Sequence, residues 1–201
     1  MIAPGTGLGE AFLTSDGVRH QAHPSEGGHT DFAPRNEVQD ALLGALRQRW
    51  GHVSYERVCS GPGVAHIYAC LRESGHAPEL PAVAAEVAGA ADPTPIIVRA
   101  ALAEFPSPLS AAALGVFVDV LGAEAGNLAL KTLALDGVFL GGGISPRVLP
   151  LLESERFLRA FRDKGRLSDL LARVPVHVIA NPAAALLGAA CHAWAADKGG
   201  P

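Results

Sequence analysis

The chain has 201 residues, of which 49% are hydrophobic and 18% are charged, so it can bury a sizeable core and differs from a disordered segment. A net charge of −4 does not favour binding to nucleic acid, which carries negative charge itself. The longest uncharged apolar stretch, 106–118, is shorter than the roughly 20 residues of a membrane-spanning helix. Three cysteines without metal-ligand spacing, and an N-terminus without a basic start and apolar run, lead us to expect a cytoplasmic protein with reduced thiols.

A glycine-rich loop, Gly5-Thr6-Gly7-Leu8-Gly9, lies at the start of the chain and precedes a predicted hairpin with strands over 11–15 and 18–22. Glycines permit positive φ and the close approach of a phosphate to backbone N–H groups, and Thr6 adds a hydroxyl. A turn between two strands suits a phosphate cradle, whereas a Walker site would need a GK[ST] ending, which is absent. Taken alone, the loop is also compatible with a plain tight hairpin.

Helices are predicted through the middle of the chain. The first covers 37–50, with Asn36 as its N-cap and Gly51 at its end. A short second helix is expected over 54–59, stopped by Ser60-Gly61-Pro62-Gly63, and a third over 64–72. Residues 80–135 are predicted to be mostly helical and to be divided by prolines.

The last third of the chain shows one pattern twice, a strand followed by a turn and a helix. The first strand is 137–140, with Ser145 as the expected N-cap, and the second is 174–179, with Asn181 as the expected N-cap of a helix to about Trp194. Such units predict an α/β fold with parallel strands. Between them, the basic residues of 156–173 are interleaved with acids and favour a solvated helix face over an anion site. We expect the tail, 198–201, to fray.

A carboxylate and an imidazole flank two glycines in Glu26-Gly27-Gly28-His29. Without β-carbons between them, a small polyol could lie against the backbone while both side chains reach its hydroxyls. Glu56 adds an acid in the first turn of the predicted second helix, although such a residue also has a structural role beside the helix dipole. A metal site that included Asp31 would have few ligands, and a turn with two exposed polar residues remains an alternative.

Three further glycines, Gly141-Gly142-Gly143, lie between a predicted strand and helix. They cost backbone entropy, which indicates that something approaches closely, for example the adenine and ribose of a nucleotide. A tightly packed βα turn explains them equally well.

Taken together, these motifs resemble bacterial glucokinases, in the branch of the actin-like/hexokinase ATPase superfamily outside the ROK group. The absence of the cysteine-rich zinc motif favours that branch. The resembling blocks lie in family order and span almost the whole chain: 4–9, 26–34, 51–58 with 60–63, Gly126-Asn127-Leu128-Ala129-Leu130, 141–147, Phe161-Arg162-Asp163-Lys164-Gly165-Arg166, and Asn181-Pro182 with Leu187-Gly188.

The resemblance implies an α/β fold, the large domain of an actin-like (ribonuclease H-like) ATPase with helical insertions. It also implies ATP-dependent phosphorylation of D-glucose with Mg²⁺, in a cytoplasmic and often dimeric enzyme of glycolysis that binds neither nucleic acid nor membrane. Glu26, His29 and Glu56 match glucose ligands. Residues 5–9 match the second phosphate loop, and Gly141, Gly142 and Gly143 match the adenosine-side loop.

Two parts of the family pattern have no counterpart in these 201 residues: an Asp-Gly-Gly-Thr-Asn-like first phosphate motif and the catalytic aspartate of an Asn-Asp pair. We therefore expect both in an upstream segment and assign no catalytic base here. Residues 1–180 would form the large domain, and 181–201 a helix that returns to the small domain and exposes an apolar face in its absence. The chain alone would then be inactive. Alternatives are a non-catalytic sugar-binding fragment or regulator, and a related kinase for another sugar or acid.

Overall fold

A mixed five-stranded sheet organises the fold. The computed structural model describes residues 1–197, and the tail expected to fray lies outside that range. The strands follow the order β3-β2-β1-β4-β5. Their bounds are β1 (Ile2–Pro4), β2 (Leu8–Ser15), β3 (His20–Ser25), β4 (Val138–Leu140) and β5 (Val176–Val178).

The first three strands form an antiparallel meander, and β4 and β5 add to it in parallel. The hairpin predicted around Asp16-Gly17 is confirmed, since β2 pairs with β3 from Glu10 opposite Ser25 to Ser15 opposite His20. The parallel pairing predicted for the last third of the chain is confirmed too, because β1, β4 and β5 run in the same direction.

Helices cover the sheet and supply most of the core. Their bounds are α1 (Glu37–Trp50), α2 (Gly61–Glu73), α3 (Pro81–Gly89), α4 (Thr94–Ala101), α5 (Pro108–Thr132), α6 (Leu149–Leu152), α7 (Glu155–Arg162), α8 (Ser168–Leu171) and α9 (Ala184–Asp197). The predicted start of α1 is confirmed, because Oδ1 of Asn36 accepts a hydrogen bond from the amide of Gln39 at 3.0 Å. Gly51 ends it with φ of 69°.

Three features of the helix boundaries differ from the prediction. Ser60 begins α2 instead of stopping a helix, since its Oγ accepts a hydrogen bond from the amide of Gly63 at 3.1 Å. Proline is tolerated in a first helical turn, where its missing N–H has no partner to lose. Before Ser60, a single 3₁₀ turn, Tyr55–Arg57, replaces the predicted short helix. Ser145 is not an N-cap, because its hydroxyl donates to the carbonyl of Gly141 at 2.6 Å.

The long helix α5 forms the centre of the core. By length and composition it could cross a membrane, but 83% of its most apolar stretch is buried in the protein, as in the core helix of a soluble protein. Helix α7 packs along it and buries Phe157 and Phe161, whose rings stack with centroids 6.2 Å apart. The basic stretch is therefore only partly solvated: Arg156 pairs with Asp119 of α5, and Lys164 is half-buried.

The last helix, α9, is exposed along the face that was predicted to lack a partner. Leu186 and Leu187 are 74% and 54% exposed. Asn181 accepts a hydrogen bond from the amide of Ala183 at 2.9 Å, in keeping with its predicted place at the start of this helix. The domain boundary after residue 180 stays a prediction.

Candidate active site

A short antiparallel pairing brings two distant turns together. The amide of Phe32 donates to the carbonyl of Val53 at 2.9 Å, and the amide of Tyr55 donates to the carbonyl of Thr30 at 3.0 Å. Helix α1 connects the two paired segments. As a result, the 3₁₀ turn Gly27–His29 lies beside the 3₁₀ turn that carries Glu56.

The three predicted sugar ligands meet at these turns. Nδ1 of His29 lies 3.7 Å from Oε2 of Glu26, and its Nε2 lies 3.8 Å from Oε1 of Glu56. The side chains of Glu26 and His29 are 95% and 63% exposed, so both reach open solvent. Two carboxylates that accept hydrogen bonds, with an imidazole that can donate or accept between them, suit neighbouring hydroxyls of a neutral sugar.

The glycine loop is part of the same site. It forms the bend between β1 and β2, and the carbonyl of Gly5 accepts a hydrogen bond from the amide of Gly61, at the start of α2, at 2.7 Å. Oε2 of Glu56 accepts a hydrogen bond from the amide of Leu8 at 3.0 Å. None of the three glycines of the loop has a positive φ, so the loop does not use the left-handed backbone that glycine permits. The carboxylate of Glu56 thus contacts both His29 of the predicted sugar site and the backbone of the predicted phosphate loop.

The glycines between Glu26 and His29 are required by packing within the protein, a reason that the sequence did not show. A β-carbon on Gly28 would overlap the carbonyl oxygen of Leu8, and one on Gly27 would overlap the carboxylate of Glu10. Leu8 is thus contacted on both sides: Gly28 packs closely against its carbonyl oxygen, and Glu56 accepts a hydrogen bond from its amide.

Glu10 is a functional candidate that the sequence analysis missed. It is 6% exposed, and its Oε1 has no hydrogen-bond partner within residues 1–197. Burial raises the pKa of this carboxyl to about 7, and the charge of Glu124 adds to the shift, while Lys131 and the N-terminal amine oppose it. The signal was its inward position in β2, two residues after the buried Leu8.

Glu10→Gln should flatten the pH dependence of folding stability. Because the folded pKa of about 7 lies above the unfolded value of 4.5, the folded state holds this proton more tightly, and the wild type loses stability as pH rises through that window. Between pH 5 and 8 the wild type should lose about 2 kcal/mol more than the variant, after allowance for residual solvent screening. Urea unfolding at both pH values measures this. Glu104→Gln, an exposed loop control, should follow the wild type, and parallel curves for all three proteins would contradict the assignment.

The second glycine loop lies beside the first. The amide of Gly141 donates to the carbonyl of Ile2 at 2.9 Å, and the amide of Ile144 donates to the carbonyl of Pro4 at 3.3 Å. Both loops thus follow the carboxyl ends of neighbouring parallel strands, β1 and β4, where open α/β sheets bind ligands. Gly142 is packed against the backbone of Pro4, whereas a β-carbon on Gly143 would have no atom within 4 Å.

No metal site is formed by the part of the chain that the structure describes, since it contains no group of three histidine, cysteine or acidic side chains arranged to hold an ion. Asp31, which was considered as a possible metal ligand, instead contacts His52, with its Oδ1 2.9 Å from Nε2 of the histidine. Mg²⁺ commonly keeps water ligands and uses one or two carboxylates with substrate phosphates, so no residue of this chain is assigned to it.

An apolar groove of about 480 Å³ between α1 and α2 is lined by none of the predicted site residues.

The family model described as Glucokinase matches residues 1–196 of the chain. A relative named glucokinase from Nostoc sp. is 47% identical over 202 residues, which cover 94% of this chain and 59% of the relative. The solved structure of a glucokinase from an Antarctic psychrotroph is 36% identical with a TM-score of 0.74 and covers 94% of this chain and 55% of that one. A ROK family glucokinase from Streptomyces griseus shares the fold, with 20% identity, a TM-score of 0.52 and coverage of 88% of this chain and 54% of that one.

The chain spans 59% of the length of the Nostoc relative, and 55% of the psychrotroph enzyme. The fold predicted from the resemblance is confirmed, because the mixed sheet and its helices align with solved glucokinases. With nearly every residue matched by the family model, the chain belongs to the glucokinase family.

Proposed function

We propose that this chain supplies the glucose site and two loops of the nucleotide site of an ATP-dependent glucokinase, which converts D-glucose to glucose 6-phosphate. One observation carries the proposal: Glu56 contacts both the predicted sugar-binding imidazole, at 3.8 Å, and the backbone of the predicted phosphate loop, at 3.0 Å. A group that bridges the two sites can align a sugar hydroxyl with a phosphoryl group.

A neutral hexose fits the charge of the cluster. Glu26 and Glu56 would repel an anionic substrate, whereas both can accept hydrogen bonds from adjacent hydroxyls. The Streptomyces griseus enzyme that shares this fold was solved in complex with glucose and AMPPNP, which supports glucose and ATP as the pair of substrates here.

In this mechanism, the residues of the chain bind and orient. Glu26, His29 and Glu56 fix the sugar ring, while the loops at residues 5–9 and 141–143 face the phosphates and the adenosine. Mg²⁺ would neutralise charge on the phosphates, as it does in other phosphoryl transfers. The base that accepts the proton of the 6-hydroxyl is assigned to no residue of these 201. It is expected from a segment outside them, as is the first phosphate loop.

The same proposal covers the organisation of the full protein. Residues 1–180 would form the large domain, and the exposed apolar side chains of α9, Leu186 and Leu187, would pack on a second domain. A cytoplasmic homodimer is the proposed setting, in line with the resemblance.

A second candidate is a non-catalytic sugar-binding module. It is favoured by one observation, namely that the sugar ligands are assembled within a chain that lacks the Asn-Asp and Asp-Gly-Gly-Thr motifs. An upstream reading frame that encodes an Asp-Gly-Gly-Thr segment would separate the two candidates, and a coupled assay of glucose phosphorylation tests the chain itself. We expect the 201-residue chain to show only background turnover, because loss of a general base and half of a phosphate cradle removes several orders of magnitude in rate.

Glu26→Ala should weaken glucose binding by roughly 10- to 100-fold, as expected for loss of a charged hydrogen-bond acceptor. Calorimetric titration of the chain with glucose measures this. Glu104→Ala removes an exposed glutamate of a distant loop and should bind like the wild type. Equal affinity in both variants would contradict the role of Glu26, and absence of binding by a folded wild-type chain would contradict a preformed sugar site.

A further inference from the structure

Two motifs of the family pattern, 126–130 and 161–166, have no part in the site described above. The structure brings them together at the contact between α5 and α7. Nζ of Lys164 donates to Oδ1 of Asn127 at 2.6 Å and to the carbonyl of Ala123 at 2.9 Å. An ammonium group with two fixed acceptors, half-buried between helices, is a specific arrangement and not a solvated surface charge.

Asn127 extends this contact towards the sugar site. Its Nδ2 donates to the hydroxyl oxygen of Tyr55 at 3.1 Å and to Oε2 of Glu124 at 2.8 Å. Glu124 is fully buried, and Nζ of Lys131 lies 3.3 Å from its other oxygen. Only an amide offers an acceptor to a lysine and donors to a tyrosine and a carboxylate at once, so asparagine matches this position.

Tyr55 is the residue immediately before Glu56, and it is held at both ends. Its amide donates to the carbonyl of Thr30 in the segment that follows His29, and its hydroxyl contacts Asn127. The ring is 3% exposed and packs edge-on against Phe32, with centroids 5.8 Å apart. A single 3₁₀ turn has few internal hydrogen bonds, so the place of Glu56 depends on how firmly Tyr55 is fixed.

We propose that Lys164, Asn127 and Tyr55 form a hydrogen-bonded series of side chains, the positioning chain, that sets the place of the Glu56 carboxylate between His29 and the phosphate loop. These contacts run from Lys164, just after α7, through Asn127 of α5 to the 3₁₀ turn of Tyr55, and they give the motifs 126–130 and 161–166 a common role. The inference rests on the proposed function, because Glu56 is a sugar ligand only there. Its direct readout, however, is the hydrogen bond between the Leu8 amide and Glu56, which exists without sugar.

Tyr55→Phe tests the positioning chain with the smallest change, since it removes one hydroxyl and keeps the buried ring. The amide proton of Leu8 donates to a carboxylate, so its NMR signal should move upfield when Glu56 shifts away, in the direction set by a Glu56→Gln reference. Asn127→Leu should move the signal further in the same direction. Glucose affinity should fall by roughly three- to tenfold in Tyr55→Phe, as expected for one displaced hydrogen bond.

Tyr68→Phe is the matched control. Tyr68 is also buried, and its hydroxyl donates to Oε1 of Glu79 at 2.7 Å, away from the site. Both tyrosine variants should lower the melting temperature by about 3 °C, but only Tyr55→Phe should move the Leu8 signal. If Leu8 keeps its wild-type signal in Tyr55→Phe and in folded Asn127→Leu, the contacts serve stability alone and the proposal is overturned. Failure of the wild type to bind glucose, with the Leu8 shift as expected, would count against the proposed function only.

Discussion

Gly28→Ala is expected to reduce glucose affinity by roughly 100-fold, as expected when several hydrogen bonds to the sugar are weakened together. The added methyl group would overlap the carbonyl oxygen of Leu8, a backbone atom that cannot rotate away. Since the amide of the same residue is bonded to Glu56, separation of the turn from Leu8 would disturb all three sugar ligands together. Folding stability should fall by about 1–3 kcal/mol, the usual range for overpacking.

Calorimetric titration with glucose and urea unfolding measure the two effects. The control is Gly44→Ala, in the middle of α1, where a methyl group meets no atom within 4 Å. That change should leave glucose affinity unaltered and stabilise the fold by about 0.5–1 kcal/mol, because alanine is the better helix former. Unchanged glucose affinity in a folded Gly28→Ala variant would show that the contact with Leu8 does not position the ligands.

Local features of the fold could be predicted from the sequence because they depend on neighbouring residues. Asn36 and Gly51 delimit α1 through bonds within four or five residues, and Asp16-Gly17 turns the hairpin in the same local way. Ser60 shows the limit of such reasoning. Glycine and proline, which break helices, surround it in the sequence, yet its hydroxyl caps α2. The start of the helix at Gly61 is also supported by a distant residue, because the carbonyl of Gly5 accepts a hydrogen bond from the Gly61 amide.

The identities of the site residues could be predicted, but not their connections. Glu26, His29 and Glu56 came from motifs, whereas the bond from Glu56 to Leu8 spans 48 positions and leaves no periodic signal. Glu10 was missed although its spacing from Leu8 places it on the inward side of β2, because its burial depends on distant segments. An acid in a strand is expected at the surface, and only the approach of α5 with Glu124 and of the turn at Gly27 buries it. These long-range contacts join the sugar site to the core.

Gly142→Ala is expected to destabilise the fold by about 3 kcal/mol. Gly142 has a φ of 76°, which costs an alanine about 1–2 kcal/mol, and the new methyl group would overlap the carbonyl oxygen of Pro4 at the end of β1. The clash would also open the junction between β1 and β4, where the two glycine loops meet. Urea unfolding of the variant beside the wild type measures the loss.

The neighbouring glycine provides the control that separates the two explanations of the triple-glycine loop. Gly143 has no positive φ, and a methyl group there meets no atom within 4 Å, so Gly143→Ala should unfold within about 0.5 kcal/mol of the wild type. Packing then explains Gly142, while Gly143 keeps space open on the side where the proposed function places adenosine. Weaker binding of ATP by a stable Gly143→Ala variant would support that division. Equal losses of stability in both variants would contradict it, because the whole loop would then be glycine-rich for packing alone.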